Sequence, residues 1–427
     1  MGSGKSLIVV IFLLNIFVVN FSIAQTKHAF QFDVNVTDRM KDINVIVKKN
    51  IDNFYLNLED TSQIFNLFEL VNGNKISVPS QISLGTSNFI YWRMDSSTSS
   101  GNVRSFYLEK VDKKTVETER KVQFTDNGKE LLFSVAGSPV FNYRYATMPV
   151  PDNVDQIYTR SGFVHPLKTP SGNIVSRIQP PDHYHHYGLW NPWTHTEYRG
   201  EEIDFWNLNK GQGTVRFSDI INIAHGDLFG ELTVSHDHII HPGRGEQVVL
   251  KEEINYKLWA ADPQGEYWIL DVVSKYNCTT KYPLTIKEYR YQGFSLRGPE
   301  HWHDSNVKVL TSDGKDKSTG NATRAQWIQV TGPGNERGES GVVMMTHPSN
   351  FNHPELLRIW PTGANNGKEN VFINFNPAQD RDWVMKPGNT YTMKYRTIIS
   401  DRKFSDSELD QLLDNFVSSP EVIQSHP

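Results

Sequence analysis

The stretch Val248-Val249-Leu250-Lys251-Glu252-Glu253-Ile254-Asn255-Tyr256-Lys257-Leu258 reads as one long strand. Val248, Leu250, Ile254, Tyr256 and Leu258 share one parity, and Lys251, Glu253, Asn255 and Lys257 the other. A period of two fits a strand whose successive side chains point to opposite faces. Glu252 is the one break, an acid in the apolar row. Asp262-Pro263-Gln264-Gly265 follows as a turn, and 267–276 as the returning strand. Toward the end of the chain, Pro387-Gly388-Asn389 is a turn. Tyr391, Met393, Tyr395, Thr397 and Ile399 then alternate with Thr392, Lys394 and Arg396. Strands of this kind, with few helical stretches between them, predict an all-β chain built on a large antiparallel sandwich.

Outward from this core, one helix is legible. Ser405-Asp406-Ser407-Glu408 forms a capping box, and Leu409, Leu412, Leu413 and Phe416 follow at helical spacing. Residues 401–427 thus form a short C-terminal helical tail. Residues 25–120 are polar and strand-like and read as an N-terminal β-sandwich region, with a charged run at 112–120 as its boundary. Residues 121–400 form the main, catalytic sandwich. At 1–24, Lys5 precedes an apolar run at 7–19, and Ser22 and Ala24 sit at −3 and −1 of a cleavage site. That is a cleavable signal peptide, and it implies a periplasmic or secreted protein. No later stretch is long and apolar enough for insertion in a membrane. The net charge of −5, with no basic stripe, excludes nucleic acid as the expected partner. Cys278 is the single cysteine, so no disulfide framework exists, and its neighbours offer no activating base.

The segment 160–206 differs from the rest. Five of the fifteen histidines (His165, His183, His185, His186 and His195) fall within 31 residues, beside Arg160, Arg177, Asp182, Glu197 and Glu202. Pro180-Pro181 bars a helix before His183. If Asp182-His183-Tyr184-His185-His186 is extended, His183 and His185 face one way and Tyr184 and His186 the other. Histidine titrates near neutrality, so such a face can take or give a proton. His-x-His on a strand is equally compatible with a divalent metal, and His236-Asp237-His238 repeats the spacing, but no third ligand is fixed by it. A cofactor is not required by this reading. Downstream, Tyr289-Arg290-Tyr291 leads to Arg297, a guanidinium suited to a carboxylate. His347-Pro348-Ser349-Asn350 and Arg358 form a third cluster, most of it turn-forming.

Several motifs in order carry a family resemblance. Arg160-Ser161-Gly162-Phe163-Val164-His165-Pro166-Leu167, Pro180 through Trp190, and Asp204-Phe205-Trp206 resemble a secreted bacterial family that carries a methane-oxygenase label (PmoA-like). Ser312-Asp313-Gly314, Arg324-Ala325-Gln326-Trp327, His347-Pro348-Ser349-Asn350 and Tyr395-Arg396-Thr397 continue the likeness. It covers roughly 120–400. Tyr184, where the family usually has proline, and Tyr187 depart from the pattern. The label does not transfer, because a membrane oxygenase needs spanning helices. A second resemblance, to aldose epimerases, rests on His183-Tyr184-His185 leading to Gly188 and Trp190, and on Pro387-Gly388-Asn389-Thr390-Tyr391. It implies a galactose-mutarotase-like supersandwich.

Members of the secreted family accompany polysaccharide-degrading enzymes, and one kind resembles an ulvan oligosaccharide dehydratase. This implies a lyase that removes water from a uronic acid at the non-reducing end of an oligosaccharide. Arg177 or Arg297 would neutralise the carboxylate, and His183 or His185 would take the C5 proton. His186, His195 or Tyr184 would protonate the departing hydroxyl. Trp190 or Trp193 would stack on the sugar, with Glu197, Tyr291 and His347 as further contacts. An epimerase-like enzyme and a non-catalytic carbohydrate-binding protein are the alternatives.

Overall fold

A computed structural model describes residues 30–41, 43–54, 63–96, 103–112, 121–334, 338–364 and 370–425. The signal peptide read at 1–24 and the boundary run from 113 to 120 lie outside them. The strand that opened the sequence reading is Gln247–Trp259, and it returns through the expected turn into Tyr267–Cys278. Their register places Glu252 opposite Tyr276 and Ile254 opposite Ser274. Glu252 points inward with the apolar row. The break in the pattern is a buried carboxylate held by His238 Nε2 at 3.1 Å and facing His236 Nδ1 at 3.9 Å.

This hairpin is the centre of an eight-stranded antiparallel sheet. Its order is Gly213–Ala224, Phe229–Ile240, Gln247–Trp259, Tyr267–Cys278, Tyr391–Ser400, Glu339–Thr346, Trp327–Pro333, Lys308–Thr311. A second eight-stranded sheet has the order Leu356–Ile359, Phe372–Asn376, Phe294–Arg297, Leu189–Trp190, Phe163–Leu167, Ser138–Arg144, Glu130–Val135, Val122–Asp126. Phe133, Tyr143, Val164, Leu296 and Ile373 of the second sheet pack with Val234, Ile254, Leu270, Val342 and Tyr395 of the first. The result is an all-β sandwich of two large antiparallel sheets, each buried Leu, Ile or Phe contributing about 1.5–3 kcal/mol.

The first sheet is covered on its outer face as well. Leu270, Val342 and Met344 point into the sandwich, while the alternating Ile269, Val343 and Met345 enter a second core. That core contains Phe32, Val47, Trp92 and Phe106 from the N-terminal region and Leu409, Leu412 and Leu413 from the helix. Burial on both faces explains why 267–270 and 342–345 are continuous apolar runs rather than alternating ones.

The helix is Asp406–Val417. Ser405 caps it by accepting from Glu408 N, and the Glu408 carboxylate accepts from Ser405 N, the reciprocal box expected. The chain beyond it holds one feature not expected of a helical tail. Val422–Ser425 pairs with Phe30–Asn35 at the edge of the N-terminal five-stranded sheet. This closing strand is too short to show a period. Cys278 is half-buried, its Sγ lies 3.2 Å from Met385 O, and burial pushes its thiol up, which fits an unreactive role.

Candidate functional site

The histidine run lies where the second sheet ends. It enters the short strand Leu189–Trp190, whose neighbours are Phe163–Leu167 and Phe294–Arg297. Gly188 permits this entry. Its φ is +67°, and a Cβ there would stand 2.4 Å from Val164 O. The run itself is not extended. His183 N donates to Pro180 O at 2.9 Å and His186 N to His183 O at 3.1 Å, so two turns follow one another. The expected division of the histidines between two faces is thereby corrected. The turns bring His183, His185 and His186 onto one side, with ring centroids 4.7–5.3 Å apart. One nitrogen from each lies within 4.8 Å of the others. Tyr184, within the turns, meets Tyr158, with ring centroids 5.6 Å apart.

A cavity of about 210 Å³ opens over the three imidazoles, walled by Trp206, Asn207, Arg290, Tyr291, Arg358, Trp360 and Phe372. Beneath it, His186 is enclosed by Trp190, Trp206, Trp360 and Phe372, at ring distances of 5.1–5.9 Å. Burial, with the nearby His185 and Arg297, holds its imidazole neutral far below the usual range. Burial likewise draws His185 down to about 3, helped by the charges of His183 and Arg297. Imidazoles in this state offer lone pairs rather than positive charge at neutral pH.

Behind them lies an ion pair. Arg297 is completely buried. Its Nη2 donates to Asp182 Oδ2 at 2.8 Å and to Asn370 Oδ1 at 2.6 Å, and its guanidinium stacks 4.6 Å from the Trp360 ring. Asp182 also receives His183 Nδ1 at 2.8 Å. Burial would raise the Asp182 carboxyl, but the His183 hydrogen bond and Arg297 override it and hold the group well below the carboxylate range. With Nδ1 committed to Asp182, His183 has Nε2 as its free nitrogen.

The other expected site residues disperse. Arg297 supports the site from behind, with Nη2 on Asp182 and Asn370 and Nη1 3.4 Å from His186 Nδ1. Arg177 reaches outward to the exposed Glu300 at 2.9 Å. Trp193 is fully buried against Tyr276 and Trp383 in the main core, and Trp190 is floor, so neither ring is open for stacking. His195 sits beside Tyr289 and Glu202, Glu197 is exposed on a strand of the four-stranded sheet, and His347 packs on Phe416 of the helix. Among the expected substrate contacts, Tyr291 alone lines the cavity. The second His-x-His, His236 and His238, is committed to Glu252 inside the sandwich, and Tyr143 Oη bonds His236 Nε2 at 2.6 Å.

Two cationic cavity residues were given no role in the sequence reading, Arg290 and Arg358. Neither has a carboxylate partner among the described residues. Arg358 Nη1 donates to Asn321 Oδ1 at 3.0 Å and its buried Nε has no partner. Burial, and then the charge of Arg290, lowers its guanidinium. Two adjacent arginines at a polar cavity form a natural seat for an anion. Arg290 lies in the loop before Phe294–Arg297 and Arg358 on Leu356–Ile359, and both strands flank Phe372–Asn376, which brings the two arginines together.

The fold and the cavity define a large all-β sandwich protein with a histidine-lined pocket at a sheet end. The chain belongs to DUF6807, a family of unknown function, whose profile matches residues 130–414. That span holds both large sheets' central strands and the whole cavity. No curated protein sequence matches the chain. Three solved structures align weakly with it. A polysaccharide lyase aligns at 11% identity and TM-score 0.30, over 70% of this chain and 35% of its own. An alpha-galactosidase from Lactobacillus brevis aligns at 8% and 0.31, over 70% and 41%. A protein assigned as a mutarotase (YeaD) from Salmonella typhimurium aligns at 9% and 0.29, over 68% and 98%. This chain thus spans well under half of the first two. No described helix is long and apolar enough to cross a membrane.

Proposed function

We propose that this protein is an exported carbohydrate-active carbon–oxygen lyase, a dehydratase acting on a non-reducing-end uronic acid of oligosaccharides such as those of ulvan. The observation that carries this reading is the pairing, in one cavity, of imidazoles with two arginines that have no carboxylate partner among the described residues. Arg290 and Arg358 neutralise the substrate carboxylate and stabilise the enediolate that forms as C5 loses its proton. His183, oriented by Asp182, takes that proton on Nε2. Tyr291, whose hydroxyl is raised by burial to about 12 and lies 3.3 Å from Asn207 Nδ2, protonates the leaving hydroxyl. The C5–H and C4–O bonds break, a C4–C5 double bond forms, and water departs. The ordered motifs shared with the secreted PmoA-like family support the choice of substrate. Incubation with uronic-acid oligosaccharides should yield a product lighter by one water, with the ultraviolet absorbance of an unsaturated uronate. No such product from a broad panel would sink the proposal.

A second reading of the same imidazoles is favoured by their convergence within 4.8 Å. Three histidines facing an open cavity, one of them backed by a carboxylate, match a divalent-metal site with a free position. Metal analysis of the purified protein separates the two readings. Stoichiometric zinc, manganese or cobalt that is lost in His185→Ala favours the metal, and turnover undiminished by chelation favours the free imidazole.

A further inference from the structure

A second cavity, of about 320 Å³, is walled in part by Arg160, Arg216 and Arg244, with Thr147 and Thr214. Its size falls within the roughly 300–1,000 Å³ typical of small-molecule sites. Arg160 is buried, and among the described residues it has no carboxylate within ion-pair distance. Its Nε has no hydrogen-bond partner, and Nη1 makes only a 3.5 Å contact with Phe205 O. The face of Tyr187 lies 5.3 Å from the guanidinium, and the buried Glu252 carboxylate acts on it from beyond ion-pair distance. A buried guanidinium with an unpaired Nε and no contacting carboxylate is costly.

The surroundings add positive charge. Arg244 is exposed at the rim and has no carboxylate partner among the described residues. Arg216 spends Nη1 on both oxygens of Glu246, at 3.0 Å each. Two guanidiniums without a contacting carboxylate among the described residues therefore meet at one pocket, one deep and one at the mouth. Guanidinium forks match the paired oxygens of a sulfate or carboxylate. Gly162, at φ +74°, fixes the chain just beyond Arg160, since a Cβ there would stand 2.7 Å from the buried His236 Nε2. Backbone bonds tie this segment to the sheet: Met148 N donates to Arg160 O at 2.8 Å and Gly162 N to Arg144 O at 2.7 Å.

We propose that this cavity is an oxyanion-binding subsite, with Arg160 as its buried anchor and Arg244 as its rim contact, taking the sulfate or carboxylate of an anionic sugar unit. Asn207 lines the histidine cavity and Leu208 this one, so consecutive residues join the two. The sugar part of the proposal rests on the function proposed above; the oxyanion part does not.

Isothermal titration of the full chain with sodium sulfate, against sodium chloride at equal ionic strength, tests it. Saturable binding is expected for sulfate and none for chloride. Arg244→Gln, at an exposed position, should weaken the site about 10- to 100-fold, the worth of a hydrogen bond to a charged group. Arg160→Gln should abolish binding. Should that variant fail to fold, Arg160→Lys keeps the charge without the fork and should still bind at least about tenfold more weakly. Unsaturable heats, or equal affinity in wild type, Arg244→Gln and Arg160→Lys, would overturn the subsite. In a second arm, glucuronate and a sulfated monosaccharide should displace sulfate. Sulfate binding without displacement by either would leave a site for free oxyanions and overturn the sugar assignment, whatever the histidine cavity turns over.

Discussion

Acid should unfold this protein in a way that can be worked out from its histidines. His185 and His165 are drawn by burial to about 3, His236 to about 4, and His186 well below its ordinary value. In the unfolded chain all four titrate near 6.5. The native state therefore binds fewer protons than the unfolded state between those values, and stability is lost as pH falls through and below 6.5. From pH 7 to pH 5 each such histidine withdraws about 2 kcal/mol, and the four together about 8 kcal/mol. That compares with the roughly 5–15 kcal/mol of a whole native domain. Urea unfolding followed by tryptophan fluorescence at pH 7, 6 and 5 measures the loss. His185→Gln keeps a neutral polar side chain without the titration, and should shrink the fall by about 2 kcal/mol. A stability that changes by less than about 2 kcal/mol over this interval, or an equal fall in His185→Gln, would refute the claim that these imidazoles are native in the neutral form. The outcome bears on the site directly, because both a base and a metal ligand need the lone pair.

Three further outcomes follow from the same geometry. Arg290→Gln and Arg358→Gln should each lower kcat/KM for the unsaturated product about 10- to 100-fold, whereas Arg177→Gln, whose partner is the exposed Glu300, should stay near wild type. Arg297→Met leaves the Asp182 carboxylate without its buried cation and should cost about 3–5 kcal/mol, read as a lowered Tm; an unchanged melt would show that the pair is not structural. Gly188→Ala combines a left-handed backbone with a Cβ 2.4 Å from Val164 O, so it should lose soluble expression or at least about 2 kcal/mol, measured by thermal melting.

Much of the architecture was legible in the chain. The period of two over 248–258, its turn at Asp262-Pro263-Gln264-Gly265 and the capping box at Ser405 are local signals, and each became the element it predicts. A strand's alternation and a helix's first turn are set by neighbours in sequence, so sequence reports them. The histidine run was visible for the same reason, as density of one residue type. Its geometry was not. Pro180-Pro181 barred a helix but could not distinguish an extended segment from two turns, and only the turns let His183, His185 and His186 converge.

Which arginine meets the cavity depended on contacts far apart in the chain. Arg297 looked like the carboxylate clamp, yet its position at the end of an interior strand buries it against Trp360 and spends it on Asp182. Arg290 and Arg358, 68 positions apart, are brought to the cavity by strands that flank Phe372–Asn376 only in the folded sheet. The tryptophans show the same limit, since Trp190 and Trp193 carry no mark that separates a sugar platform from core. The chain alone determined which elements form and where chemistry-bearing residues are dense. The packing of two sheets decided which of those residues are buried, paired or left facing a cavity, because burial and pairing are properties of neighbours in space.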